Sequence, residues 1–378
     1  MDFTLTKEQK MARQLFRDFA VREVEPLARE IDESHRFPSE TVEKMHKYGF
    51  MGIPFSKDYG GQGCDTLTYV LAVEELSRVC ATTGVIVSAH TSLAAGAIDS
   101  KGTAEQKEEY LRPLNTDKLG AFALTEPDAG TDAGSQRTTA VLDGDEYVLN
   151  GSKIFITNAG YADIYVVFAM TDRSQGTRGI SAFIVEKGRP GFDFGLAEKK
   201  MGIHGSSTRE LIFTDCRIPR ENLLGLEGKG FGLAMGTLDG GRIGIAAQAV
   251  GIAQGALDKT IAYVKERKQF GRAISKFQNT QFQIANMATE IESARYLTYL
   301  AAEKKDSGER YSYEAAMAKL KASRTANYVS SLAVQLHGGY GYIQDYDVER
   351  MMRDAKITEI YEGTSEVMQM VISGSLLG

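Results

Sequence analysis

The hydrophobic period changes twice along this chain, and no single-class fold accommodates that. Up to about residue 119 the apolar residues keep helical spacing: Met11, Leu15 and Phe19 recur at i+4, and Phe16 and Leu27 extend the same side. From Gly120 to about 226, turns separate short β-branched and aromatic runs, as at 146–150, 164–170, 181–185 and 210–213. Asp143-Gly144 and Asn150-Gly151 read as hairpin turns. From about 227, Ala-rich helical patterns return over 242–267, 277–305 and 312–336. The expected class is α+β: an N-terminal helical domain (1–119), a middle antiparallel β-barrel domain (120–226) and a C-terminal four-helix-bundle domain (227–378).

Local signals place the element ends. Thr6 with Gln9, and Thr103 with Gln106, match capping boxes. Pro38 opens a helix, Gly49 closes it, and Pro113 is expected to stop the helix that Thr103 starts. A mostly apolar run spans 68–87. Gly228-Lys229-Gly230-Phe231-Gly232 has neither the spacing nor the setting of a dinucleotide turn and is expected to be a domain-junction loop. Without GxGxxG after a strand, nicotinamide on a Rossmann unit is disfavoured.

Charge narrows the function classes. A net charge of −6, with no basic block to offset it, argues against a nucleic-acid partner. Cys64, Cys80 and Cys216 are far apart with no CxxC, which fits a reducing compartment. The five histidines form no HExxH or paired cluster, so no metal site is expected. No uninterrupted apolar stretch reaches the length of a membrane span, and the Met1-Asp2-Phe3 start lacks a signal core. The expectation is cytoplasmic localisation, or a processed form that has acquired a start methionine.

Chemistry concentrates near the C-terminus, in Glu359-Ile360-Tyr361-Glu362-Gly363-Thr364-Ser365-Glu366. A carboxylate precedes a glycine, which lets a ligand approach the backbone, and two hydroxyls follow. Alone, this is also an ordinary helix start. The same holds for Leu124-Thr125-Glu126-Pro127 with Gly130-Thr131, a turn-rich loop, and for Phe155-Ile156-Thr157 after Asn150-Gly151-Ser152-Lys153, a strand end. Arg267-Lys268-Gln269-Phe270-Gly271 and Gln335-Leu336-His337-Gly338-Gly339 read as glycine-stopped helix ends.

In this order and spacing, together with Thr237-Leu238-Asp239-Gly240-Gly241-Arg242, these segments resemble the acyl-CoA dehydrogenase family over essentially the whole chain, most closely its short-chain, butyryl-CoA type. The resemblance implies an FAD enzyme that is a homotetramer, a dimer of dimers, passing electrons to an electron-transferring flavoprotein. It assigns Phe122, Leu124, Thr125, Gly130, Thr131, Phe155, Ile156 and Thr157 to the flavin. It brings Arg267, Phe270 and Gln278 from a neighbouring subunit to the adenine diphosphate half, continued by Gln335, Leu336, Gly338 and Gly339 and completed by Thr364, Ser365 and Glu366. Acyl-CoA would meet Thr131, Asp239, Gly240, Gly241, Arg242 and Gly363. Glu362 would take the α-proton, with burial raising its pKa toward the operating pH.

An arrangement known in the family puts the base just before the arginine of the 239–242 segment, but Gly241 stands there and cannot serve. One departure is Gln369, where many relatives carry a basic residue. The alternatives are an acyl-CoA oxidase-like or nitroalkane-type oxidase on the same fold, a branched short-chain acyl-CoA dehydrogenase, or the flavin subunit of an electron-bifurcating complex. Oxygen reactivity of the reduced flavin separates oxidase from dehydrogenase. Acyl length, physiological direction and any bifurcation stay open.

Overall fold

The computed structural model describes residues 4–378, so the reading of residues 1–3 falls outside it. Helices fill the first part: α1 (Lys7–Phe19), α2 (Glu25–Ser34), α3 (Ser39–Lys47), α4 (Thr66–Val79), α5 (Ala81–Ser88), α6 (Gly96–Lys101), α7 (Ala104–Gln106) and α8 (Arg112–Thr116). Both capping boxes form; the Gln9 amide N–H donates to the Thr6 hydroxyl at 3.2 Å, and the Thr6 N–H to the Gln9 side chain at 2.9 Å. The 68–87 run is two helices, because Cys80 is extended (φ −152°, ψ 103°). A π-helical stretch, Ala89–Ala95, joins α5 to α6. Helix Ala81–Lys101 is therefore long and apolar enough to pass as a membrane span by length and composition. Its apolar window is 94% buried within the protein, which makes it a core helix. The helical path also runs past Pro113 to Thr116: a π turn (Lys107–Leu111) precedes α8, and proline in a first turn removes no needed N–H.

The middle part is an eight-stranded sheet: β1 (Gly120–Ala123), β2 (Thr139–Asp143), β3 (Glu146–Thr157), β4 (Ile164–Met170), β5 (Ile180–Glu186), β6 (Phe192–Ala197), β7 (Thr208–Pro219) and β8 (Leu223–Leu224). The order is β6-β7-β3-β2-β4-β5-β8, with β1 added beside β4. Most pairs are antiparallel as expected, but β1 and β2 both run parallel to β4. Asp143-Gly144 does turn β2 into β3. Asn150-Gly151 does not turn; it lies within β3 at a register shift, where a Cβ on Gly151 would sit 2.7 Å from Thr138 Cα. All of β4 is buried. Tyr165, Val167 and Ala169 face one core, and Ile164, Val166, Phe168 and Met170 the other, so the sheet is packed on both sides at this strand.

The last part begins with α9 (Gly230–Glu266), followed by a short hairpin, β9 (Lys268–Gln269) and β10 (Arg272–Ala273). Then come α10 (Gln278–Asp306), α11 (Ser312–His337), α12 (Gly339–Tyr342), α13 (Val348–Lys356) and α14 (Ser365–Leu377). Helix α9 starts inside the glycine run expected to be a loop. The glycine is needed for contact: a Cβ on Gly230 would lie 2.5 Å from the Ser181 carbonyl carbon in β5. The middle of α9 is buried throughout between α4, α10 and α11, which places its glycines at the centre of the molecule.

Candidate active site

One part of the site is built on β1 and β3. The Lys153 ammonium, fully buried, donates to the Glu126 carboxylate at 2.7 Å, to Gln136 at 2.9 Å and to the Leu124 carbonyl at 3.1 Å. The Ile154 N–H donates to the Thr125 carbonyl at 2.9 Å. These bonds bring residues 122–126 against 153–157, two segments that the sequence separates. Burial lowers the Lys153 pKa to about 8, with Glu126 opposing. Burial pushes Glu126 up, but the Lys153 charge and its hydrogen bonds outweigh that and hold it down. The pair is ionic and fully hydrogen-bonded, as a buried ion pair must be. Phe155, just beyond, has φ 57° and is 61% exposed. Gly130 and Thr131 are exposed, and Thr157 is half-buried at the end of β3.

The second part brings Glu362, Gly363 and the α9 segment together. Glu362 is left-handed (φ 53°), as is Gly363 (φ 101°), in the tight link leading into α14. The Glu362 Oε2 atom is buried without a hydrogen-bond partner. It occupies the space that a side chain on Gly241 would fill; a Cβ there would collide with Oε2 and with Leu93 of the π-helical stretch. Two cations stand by. Arg242 is committed to Asp239 at 2.5 Å, and Asp239 also accepts from the Ser312 hydroxyl. Lys319, fully buried on α11, donates to the Gly363 carbonyl. Burial raises the Glu362 pKa to about 7 even though Lys319 and Arg242 pull it down. Tyr361, just before Glu362, donates its hydroxyl to Gln248 two turns further along α9. A cavity of about 370 Å³ opens alongside, lined by Tyr69, Ser92, Thr237, Gly240, Lys305 and Tyr311 among others.

A third group lies apart. Arg267 stacks its guanidinium over the Tyr340 ring at 5.3 Å, and Tyr263 donates to the His337 carbonyl at 3.1 Å. These contacts bring the end of α9 beside the 335–339 segment, around a cleft of about 500 Å³. Gln335, Gly338 and Gly339 are exposed there and Leu336 is half-buried. Phe270, at the hairpin tip, has φ 50° and is 94% exposed; Gln278 is exposed at the start of α10. Among the described residues, no hydrogen bond, ion pair or ring contact joins Arg267, Phe270 or Gln278 to residues 122–131 or 155–157. Thr364 caps α14, accepting from the Val367 N–H at 3.4 Å; the Ser365 hydroxyl is buried without a partner, and Glu366 is exposed.

Family models for the N-terminal, middle and C-terminal domains of acyl-CoA dehydrogenase match residues 6–118, 121–216 and 228–377. This chain belongs to the acyl-CoA dehydrogenase family. It is 63% identical, over the full length of both chains, to the short-chain specific acyl-CoA dehydrogenase of Clostridium acetobutylicum. The solved butyryl-CoA dehydrogenase of Megasphaera elsdenii superimposes with a TM-score of 0.99 at 52% identity, covering 100% of both chains. A chain solved in work on the electron transferring flavoprotein of Acidaminococcus fermentans and flavin-based electron bifurcation matches at 0.99 and 59%, again covering both chains completely.

Sequence reasoning passed over several residues that pack around the site of this acyl-CoA dehydrogenase. Lys319 read as one more lysine in an Ala-rich helix, and nothing local marked it. Gln248 likewise looked like part of a helix pattern. Lys153 and Glu126 were in view as motif members, but their pairing was not. Three of the seven left-handed non-glycine residues among those described, Phe155, Phe270 and Glu362, are positions the motifs had singled out. Each lies next to or within a motif glycine or strand end, the one local hint of such a backbone.

Proposed function

We propose that this chain dehydrogenates short-chain acyl-CoA thioesters across the Cα–Cβ bond, butyryl-CoA to crotonyl-CoA or the reverse. FAD is the cofactor and an electron-transferring flavoprotein the electron partner. The enzyme acts as a homotetramer, a dimer of dimers, in the cytoplasm, divided into domains at 1–119, 120–226 and 227–378. The observation that carries this reading is the Glu362 carboxylate: buried, without a hydrogen-bond partner on Oε2, and with a pKa near 7. A general base needs that combination, because a carboxylate tied up in an ion pair cannot accept a proton and one with an ordinary pKa is a weak base.

The residues present fit an isoalloxazine and its dinucleotide tail. Phe155 and Phe270 turn large apolar rings outward from left-handed backbone, an arrangement that calls for an apolar partner. Thr125, Thr131 and Thr157 would offer polar groups to the ring edge. Phe122, Leu124, Gly130 and Ile156 would complete the flavin cradle. Arg267, Phe270, Gln278 and the 335–339 segment of a second subunit would hold the diphosphate and adenine, with Thr364, Ser365 and Glu366. Their separation from the flavin segments within one chain supports this. Bound FAD supplies a hydride acceptor, which no side chain can be.

The protein's own part is to position and to move the proton. Asp239, Gly240, Gly241, Arg242, Thr131 and Gly363 line the thioester's path, and Glu362 takes the α-proton onto its free oxygen. The absence of a side chain at Gly241 leaves the carboxylate its place. The three cysteines are free thiols, one exposed and two buried, which supports a reducing compartment. Anaerobic addition of butyryl-CoA to the flavin-loaded protein is expected to bleach the flavin band. Failure of every short, medium and branched acyl-CoA to do so overturns the reading.

A further inference from the structure

Both cations near Glu362 are withheld from it. Arg242 is bonded to Asp239, and Lys319 to the Gly363 carbonyl; neither forms an ion pair or hydrogen bond with the Glu362 carboxylate. The two differ in one respect. Arg242 lies on α9, whereas Lys319 comes from α11 and bonds the base's own backbone neighbour. An ammonium buried this completely is costly unless it is paired or hydrogen-bonded, and here its acceptor is the Gly363 carbonyl. Its bond also falls at a sensitive place. Gly363 and Glu362 are both left-handed, and a non-glycine residue is held in that region only by its surroundings.

We propose that Lys319 is the positioning residue of the base: it anchors the Glu362-Gly363 turn through the Gly363 carbonyl and keeps one positive charge close to the carboxylate without touching it. The arrangement resolves a conflict. Direct pairing would occupy the oxygen that must take the proton and would depress its basicity. With no cation at all, burial would leave the carboxyl protonated at working pH. A charge parked on a backbone carbonyl supports the ionised form and leaves Oε2 free.

The charged and titratable groups around Glu362 are few. They are Arg242 on α9, Lys319 on α11, the Tyr69 hydroxyl on α4 and the neighbouring Tyr361. Glu359 and Glu366, on the base's own segment, act on Lys319. The directions agree with the geometry. Lys319 lowers the Glu362 pKa, and Glu362 raises that of Lys319, which burial brings down to about 8.

The inference rests on Glu362 being the base, and the experiment separates the two claims. The acidic limb of the kcat/KM profile is measured for wild type, Lys319→Gln, Lys319→Met and Lys319→Arg, with flavin content and tetramer fraction determined for each. Losing the charge is expected to move the limb upward by about one to two pH units, from a Coulomb interaction at an effective dielectric near 20. The Gln variant can still donate to Gly363, so it isolates charge from anchoring; it also stands in if the Met variant does not fold. Arg is expected to keep the limb within about half a unit of wild type, even where it lowers stability. A limb unmoved in the Gln and Met variants, or moved equally in Arg, overturns the proposal. Glu362→Gln with retained turnover sinks the base assignment itself, whatever the Lys319 variants do.

Discussion

The two ends of the candidate site are finished to different degrees within one chain. Around Glu362 the groups face inward: the carboxylate oxygen is buried, Lys319 is anchored on Gly363 and Arg242 on Asp239, and the carboxylate takes up the space beside Gly241. Around Arg267, Phe270 and Gln278 the groups face outward, and Phe270 is 94% exposed on strained backbone. Under the proposed function, the fold completes the proton chemistry within one chain and leaves nucleotide binding to depend on assembly. Damage at the first end should affect rate without affecting assembly. Damage at the second should affect both cofactor and assembly.

The sharpest way to break that contrast is Glu362→Gln. Turnover is expected to fall by roughly 10² to 10⁴-fold, with flavin content and tetramer unchanged. Stopped-flow flavin reduction beside gel filtration checks this, and loss of the tetramer would show that the two ends are not separable. Gly241→Ala comes next. Its Cβ would land on the Glu362 carboxylate and Leu93, so about a 10 to 100-fold loss in kcat/KM is expected from displacing the base, with normal flavin content.

Acidity probes the same end without mutation. Glu362 has its pKa raised to about 7, so the active, ionised base is lost as pH falls below that value. In free enzyme kcat/KM should drop about tenfold per unit on the acid side. The sign for stability is opposite. Burial disfavours the charged form, so this group's contribution to folding weakens as pH rises from its ordinary 4.5 through about 7. A flat profile between pH 5 and 8 (roughly the window set by that shift) contradicts the environment described for the base.

At the other end, Arg267→Ala should weaken FAD retention by about tenfold and lower the tetramer fraction in parallel, because one charge-assisted contact to a diphosphate is removed. Full flavin in an intact tetramer would dissolve the contrast. The smallest effect concerns acyl length. The proposed function expects a shallow acyl pocket. Butyryl-CoA should therefore reduce the flavin a few-fold faster than octanoyl-CoA, since each added methylene gains about 0.8 kcal/mol only where room exists. A maximum at octanoyl would reassign the chain length while sparing the reaction.

How much of this the sequence revealed follows a physical line. The alternation of helical and strand segments was legible because burial imposes periods of 3.6 and 2, and the Thr6 and Thr103 caps were legible because capping is local. Asn150-Gly151 misled because the same dipeptide suits a hairpin and a strand irregularity; only the Thr138 backbone beside it decides. Pro113 misled because the preceding π turn depends on packing. The start of α9 at Gly230 was hidden because a glycine run looks flexible until β5 is placed against it. At the site, motif residues were visible as types in order. Lys319 was not, since its bond to Gly363 comes from a packing of α11 against a link more than forty residues later. The left-handed backbone of Phe155, Phe270 and Glu362 has no compositional mark beyond a nearby glycine or strand end.

The space beside Gly241 also bears on how such a site can change over time. Residue 241 on a rigid central helix and residue 362 in a link between helices reach the same small volume, and only one of them can fill it. Leu93 borders the same volume, so a side chain at 241 would need both the carboxylate and Leu93 to move. Shortening residue 362 alone would therefore not make room for a carboxylate at 241, and the site is expected to tolerate change at 241 only together with change at 93.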